Sequence, residues 1–190
     1  FGLGIRPLAS GGLGILFEME GDDIYDAGYF AQGSAHWAGA GLLIDRMGND
    51  AYQARRYAQG AGSHISVGVL LEASGDDVYD LWGVGQGCGH DLSVGLLEDR
   101  RGNDQYRSTW MAQGVGNSNG VGLLDDGSGD DRYMGKRADT QGFGNVSRGY
   151  GSIGLLLDRG GSDQYEGKGE DGRIWEGGSL GAGIDSPLKE

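Results

Sequence analysis

Two columns of carboxylates recur along this chain at a spacing that can do chemistry. An Asp stands two residues after a glycine at Asp23, Asp50, Asp77, Asp104, Asp131 and Asp163. Three residues before each of those glycines there is again an acid: Glu18, Asp45, Glu72, Asp99, Asp126 and Asp158. Between glycine and Asp the residue is polar throughout: Asp22, Asn49, Asp76, Asn103, Asp130 and Ser162. Oxygen donors concentrated in this way suit a hard divalent cation, and calcium accepts carboxylates, turn carbonyls and waters in flexible geometry at about 2.3 to 2.6 Å. The twelve acids of the two columns are therefore the candidate calcium ligands. A metal-free alternative stands beside this one, in which each Asp caps its own turn by accepting backbone N–H bonds.

Three histidines form a second candidate metal or catalytic site. His36 and His90 share a column of the repeat and His64 falls one place later in the intervening unit, which would line up three imidazoles over roughly 10 Å. Adjacent units could supply two ligands to a zinc ion, but not three at about 2.0 to 2.1 Å without rearrangement. Incidental corner histidines are the simpler reading. A glutamine column, Gln32, Gln59, Gln86, Gln113 and Gln141, is expected to form an amide ladder. Trp37, Trp82, Trp110 and Trp175, with Tyr29, Tyr57, Arg55, Arg56 and Arg137, are candidates for stacking on sugar rings, although they scatter over several columns. No catalytic residue is assigned. An active site should break the repeat, and the irregular places are the histidine corner and an insertion over 145–152 that carries Arg148 and Tyr150.

The elements that hold these residues follow from periodicity. Gly-x-Asp-x-Tyr starts at Gly21, Gly48, Gly75, Gly102, Gly129 and Gly161, in units of 27 residues with one unit of 32. Gln-Gly and Gly followed by two aliphatics recur in the same register. Segments between the glycines are short and rich in Leu, Val, Ile and Tyr, so they read as strands, because interior glycine disfavours a helix by about 1 kcal/mol per position. A unit that cannot bury its apolar side alone stacks on copies of itself, which predicts an all-β parallel β-solenoid of six to seven coils in which sequence columns become ladders in space. Regular coils are expected over 14–166, an irregular or capping coil over 1–13 and a partial coil over 167–190, all in one domain and part of a longer parent. A β-propeller would need repeats nearer 40 residues.

Like charges stacked at rung spacing repel by about 3 to 4 kcal/mol per neighbouring pair at an effective dielectric near 20, so the acidic ladders need compensation. Here a family resemblance enters. Gly127-Ser128-Gly129-Asp130-Asp131-Arg132-Tyr133-Met134 resembles the RTX (repeats-in-toxin) motif G-G-x-G-x-D-x-U-x without its first Gly, and the other turns match its G-x-D-x-U half. The resemblance implies that the turn Asp residues bind calcium and that Tyr25, Tyr52, Tyr79, Tyr106, Tyr133 and Tyr165 pack inward. RTX repeats recur every nine residues, whereas this chain carries one such turn per coil.

The aliphatic strand implies a contact surface. Neighbouring strand positions face opposite ways, so if Leu43, Leu70, Leu97, Leu124 and Leu156 fill the core, Leu42, Val69, Leu96, Leu123 and Leu155 point out, backed by Ala40, Val67, Val94, Val121 and Ile153. Such a stripe suits self-association or a neighbouring domain, and poorly capped ends would let rungs pair into a filament.

With 28 acids against 15 bases the net charge is −13, which argues against nucleic acid as a partner. No apolar run is long enough for membrane insertion. Cys88 is the single cysteine, in a column that reads as core, so its thiol is expected to be buried. The expectation is a calcium-stabilised extracellular or cell-surface structural or adhesive module, with a polysaccharide-binding or polysaccharide-degrading solenoid as the alternative.

Overall fold

A computed structural model describes residues 2–3 and 10–186. Its backbone winds as a parallel β-solenoid of about six turns in which three sheets run the length of the stack. The longest sheet holds the aliphatic strands Leu13–Phe17, Ala40–Ile44, Val67–Glu72, Val94–Asp99, Val121–Asp126, Ile153–Asp158 and Gly181–Asp185. The second holds the tyrosine strands, among them Ala51–Ala58, Val78–Gly85, Gln105–Ser108 and Arg132–Gly135. The third is built from two-residue strands such as Ala35–His36, Gly62–Ser63, Gly89–His90 and Gly116–Asn117.

Register follows the sequence columns. Leu70 pairs with Leu97 and Leu97 with Leu124, while Tyr79 pairs with Tyr52 and Tyr106. Of the five extra residues of the long unit one lies before Gln141 and four lie in a loop with a 3-10 turn at Ser147–Gly149, and pairing resumes with Gly122 against Gly154 and Tyr133 against Tyr165. Gly181–Asp185 continues the aliphatic sheet in parallel, as its sequence suggests. Of the irregular coil expected over 1–13, Gly2–Leu3 pairs with Ala35–His36 and Leu13 already belongs to the first aliphatic strand. The remaining residues of that stretch, 1 and 4–9, lie outside the described residues, as does Pro187.

The core consists of two facing ladders. Leu43, Leu70, Leu97, Leu124 and Leu156 stack from one sheet, and Tyr52, Tyr79, Tyr106 and Tyr133 from the other, all buried. Successive tyrosine rings lie parallel at 4.7 to 4.9 Å between centroids, which is the strand spacing itself. Glycine is required at the turn because of this close repeat. A Cβ on Gly102 would lie 1.6 Å from the carbonyl oxygen of Gly75, and one on Gly129 1.5 Å from that of Gly102. Cys88 is buried beside Val84 and Val115, and burial pushes its thiol up to about 12.

The C-terminal end of the stack carries a covering strand. The edge of the aliphatic sheet there is covered by Ile174–Glu176, which pairs antiparallel with Gly181–Asp185. Trp175 packs edge-on against Tyr165, ending the ring stack, and donates its indole N–H to the Gln141 carbonyl at 3.1 Å. Parallel edge-to-edge growth of a filament has no free strand to use on the covered stretch.

Replacing Gly102 with Ala must push a backbone carbonyl aside in the middle of the stack. The expected outcome is destabilisation of more than about 3 kcal/mol by urea unfolding, within the upper range for single substitutions. A loss below about 0.5 kcal/mol would contradict the close rung packing.

Candidate metal centre

The acidic turn is built by hydrogen bonds between coils. The Oδ1 of each turn Asp accepts the backbone N–H of the turn Asp one coil earlier: Asp77 from Asp50 at 2.6 Å, Asp104 from Asp77 at 2.7 Å, Asp131 from Asp104 at 2.7 Å and Asp163 from Asp131 at 2.7 Å. Asp171 takes over this role for Asp163 at the end of the stack, at 3.0 Å. The turn Asp residues thus cap a neighbouring turn and not their own, whereas in the second acidic column Asp99 and Asp158 accept N–H groups of their own turns, from Arg101 at 3.3 Å and Gly160 at 3.1 Å, as the self-capping alternative has it.

The second acidic column faces the tyrosines. Tyr52 donates its hydroxyl to Glu72 at 2.8 Å, Tyr79 to Asp99 at 2.7 Å and Tyr106 to Asp126 at 2.7 Å, each reaching the acid of the following coil. Glu72 also accepts the backbone N–H groups of Ala73 and Ser74 with its other oxygen. Inward packing of the tyrosines, implied by the RTX resemblance, is what the fold shows.

These bonds leave one side of the ladder unsatisfied. The Oδ2 atoms of Asp50, Asp77, Asp104, Asp131 and Asp163, and the Oδ1 atoms of Asp45 and Asp126, are buried and meet no hydrogen-bond donor. Asp77, Asp104 and Asp131 are fully buried as residues. Carboxylate oxygens of the two columns converge in threes within 4.8 Å of one another: Glu18, Asp23 and Asp45; Asp45, Asp50 and Glu72; Asp77, Asp99 and Asp104; Asp104, Asp126 and Asp131; Asp131, Asp158 and Asp163. All twelve acids picked out by spacing are therefore brought into these clusters. Two oxygens bound to one calcium at about 2.3 to 2.6 Å can be up to about 5 Å apart, so the clusters match that ion in donor type and span.

Burial, more than any neighbour, pushes these carboxyls up: Asp50 to about 6, Asp77 to about 8, Asp104 to about 11 and Asp131 to about 9, with neighbouring carboxylates adding to the rise. Glu72, Asp126 and Asp163 rise to about 7 for the same first reason. The perturbation peaks mid-stack, where burial is greatest.

The polar column between glycine and Asp solves its charge differently. Asp22, Asn49, Asp76, Asn103 and Asp130 alternate acid with amide, and each side-chain oxygen accepts the backbone N–H of the next coil at 2.8 to 3.0 Å. Asn49 and Asn103 donate their amide N–H to Asp22 and Asp76. This column is exposed and carries no two stacked carboxylates. The alternation is visible in the sequence, but its meaning appears only when the columns stack.

The glutamines do not form an amide ladder. Gln86 Nε2 donates to the Tyr79 carbonyl at 3.0 Å and to the Arg107 carbonyl of the next coil at 3.1 Å, tying the corner to the tyrosine strands, and Gln59 does the same with Tyr52 and Asp80. The aromatics also part company. Trp82 is exposed, with the Arg56 guanidinium 4.4 Å from its ring and 4.7 Å from that of Trp110, while Trp37 stacks on His64 and Trp175 caps the core. His36 and His90 lie on the third sheet and His64 at the corner just after Gly62–Ser63, with the His64 ring centroid 4.8 Å from that of His36 and 5.8 Å from that of His90. Comparison with protein-family models, with curated proteins and with solved structures finds no match.

A pH dependence follows from the raised carboxyls. In the unfolded chain Asp ionises near 3.9, so between about pH 4 and the raised values the folded chain holds more protons, and stability falls as pH rises. The contribution of Asp77 and Asp131 is full below about pH 4 and is lost as pH passes through about 8 and 9. Chelator-treated protein is expected to melt at a higher temperature at pH 5 than at pH 8.5; the opposite order would mean that the buried carboxyls are not protonated in the folded state.

Proposed function

We propose that the chain is a calcium-stabilised structural or adhesive module that works outside the cell or at its surface. The observation that carries this reading is the contrast between columns. Where the ladder is exposed, Asn alternates with Asp and no cation is needed. In the two buried columns, where repulsion is strongest, every coil keeps its carboxylate, the turn Asp residues from Asp50 to Asp163 leave Oδ2 without a donor, and carboxylate oxygens of the two columns converge within 4.8 Å. One divalent ion per coil offsets the two carboxylates that each coil contributes. Asp45, Asp104 and Asp131 each belong to two clusters, so neighbouring ions would share ligands.

Oxygen sites of modest affinity fill where calcium is millimolar, which is the support for an extracellular location. No helix among the described residues is long and apolar enough to cross a membrane. The aliphatic sheet supplies a contact surface. Val67, Val94, Val121 and Ile153 are exposed in one column, and Leu42, Val69, Leu96, Leu123 and Leu155 are half-buried in the next. Because each column is nearly uniform from coil to coil, a two-fold rotation presents the same surface back to itself, and a second copy is the partner this face suits.

A second reading is favoured by the raised carboxyls: protons in place of calcium, with each coil sharing a hydrogen between two acids. One experiment separates the two. At pH 7.5, a site filled a hundredfold above its dissociation constant adds about 2.7 kcal/mol. For a chain of this size that is a rise in Tm of roughly 5 to 10 °C. Calcium at millimolar concentration is expected to give at least that rise and magnesium much less, and Asp104→Asn should shrink it. An unchanged Tm with calcium would leave the proton-held ladder and remove the support for an extracellular location.

A further inference from the structure

The repeat is broken in two places, the histidines and the long unit, and the fold brings them together. Arg148, in the 3-10 turn of the insertion, reaches back to pair with Asp91. Asp91 also bonds Nδ1 of His64. His36 and His90 flank His64, with Nδ1 of His36 on the Ser63 hydroxyl at 2.7 Å and Nδ1 of His90 on the Asn117 side chain at 2.6 Å. Every imidazole is thus held through Nδ1 by a residue one coil further on. No hydrogen bond engages Nε2 of any of the three among the described residues.

The backbone adds a separate observation. Trp37, Ala38, His64, Ile65, Asp91 and Leu92 all have left-handed φ of 47° to 59°. Glycine is the strain-free residue there, and this chain uses 42 glycines elsewhere. Ser118 and Asn119 make the same turn one coil on, with φ of 51° and 66° and no histidine, so this conformation belongs to the corner itself and sets where its side chains stand.

We infer that His36 and His64 bind one borderline divalent transition ion, of the zinc class, through Nε2. Two imidazoles holding one tetrahedral ion at about 2.0 to 2.1 Å have ring centres roughly 5 Å apart and rings turned out of one plane. His36 and His64 lie at 4.8 Å with an interplanar angle of 69°. Asp91 supplies the carboxylate that fixes the tautomer and ring orientation of His64, as outer partners of metal-binding histidines do. Burial and the neighbouring imidazoles push His36 down, keeping it neutral and ready to coordinate. Waters complete the sphere. The ion stands on nitrogen ligands and does not rest on the acidic ladder.

Cobalt is the probe, added to the full chain in millimolar calcium so that the oxygen sites are already supplied with their own cation. The expected result is a visible d–d absorption band that saturates at micromolar cobalt and is displaced by zinc. His36→Ala and His64→Ala should each weaken binding at least a hundredfold, and His90→Ala less than tenfold. Asp91→Asn should weaken it 10-fold to 100-fold, the range for an outer-sphere partner. His64→Gln serves if the alanine variant melts early. No band, or a band unchanged by His64→Ala and His64→Gln, overturns the site. A loss on His90→Ala with none on His36→Ala overturns the assigned pair.

Discussion

Every feature of this chain depends on the parallel strand spacing. Coils stacked in register place each side chain over its counterpart at about 4.7 to 4.9 Å, with no freedom to stagger. An isolated pair of tyrosines would choose an offset or edge-on arrangement, yet here the rings lie flat on one another at 4.7 to 4.9 Å because the backbone dictates it. The same spacing leaves no room for a Cβ at the turn glycines. It also makes any ionised column a row of like charges at close range.

Three answers to that charge problem are present in one turn. The exposed column dilutes its carboxylates with Asn. The turn Asp column directs Oδ1 at a backbone N–H of the neighbouring coil, and the inner column directs its oxygens at tyrosine hydroxyls. Each hydrogen bond to an ionised acceptor is worth about 1.5 to 3 kcal/mol. A fully ionised ladder at 3 to 4 kcal/mol per neighbouring pair exceeds what one or two such bonds per acid return once desolvation is added. Hydrogen bonding alone does not balance the buried columns, and that is the ground for the cation or proton proposed at each coil.

A solenoid is unusually legible because its columns are its contacts. The 27-residue period, the inward leucines, the outward aliphatic columns and the twelve clustered acids follow from counting, and the inward tyrosines from the RTX resemblance. What counting misses is the direction in which side chains lean. Tyr79 reaches Asp99, twenty residues on, and Asp104 reaches back to the N–H of Asp77, because the coil advances while it turns. A glutamine ladder looks inevitable from sequence, yet the Gln86 amide donates to two backbone carbonyls, those of Tyr79 and Arg107. The covering strand Ile174–Glu176 carries no repeat signature, so the capped end was not to be found by periodicity.

Irregularity carries a different kind of information. In a stack whose stability is close to a sum of similar units, a departure from the consensus is retained only where it does something the consensus does not. The insertion around Arg148 is long enough to leave the stack and return, and it crosses back over the coils to meet Asp91. That contact joins residues 57 apart in sequence, where most ladder contacts join residues 27 apart. A purely structural corner would need neither the loop nor the imidazoles, since the Gly116–Asn117 rung makes the same turn without a histidine. The ladders account for how the chain stands up; the histidine corner is where it differs from itself.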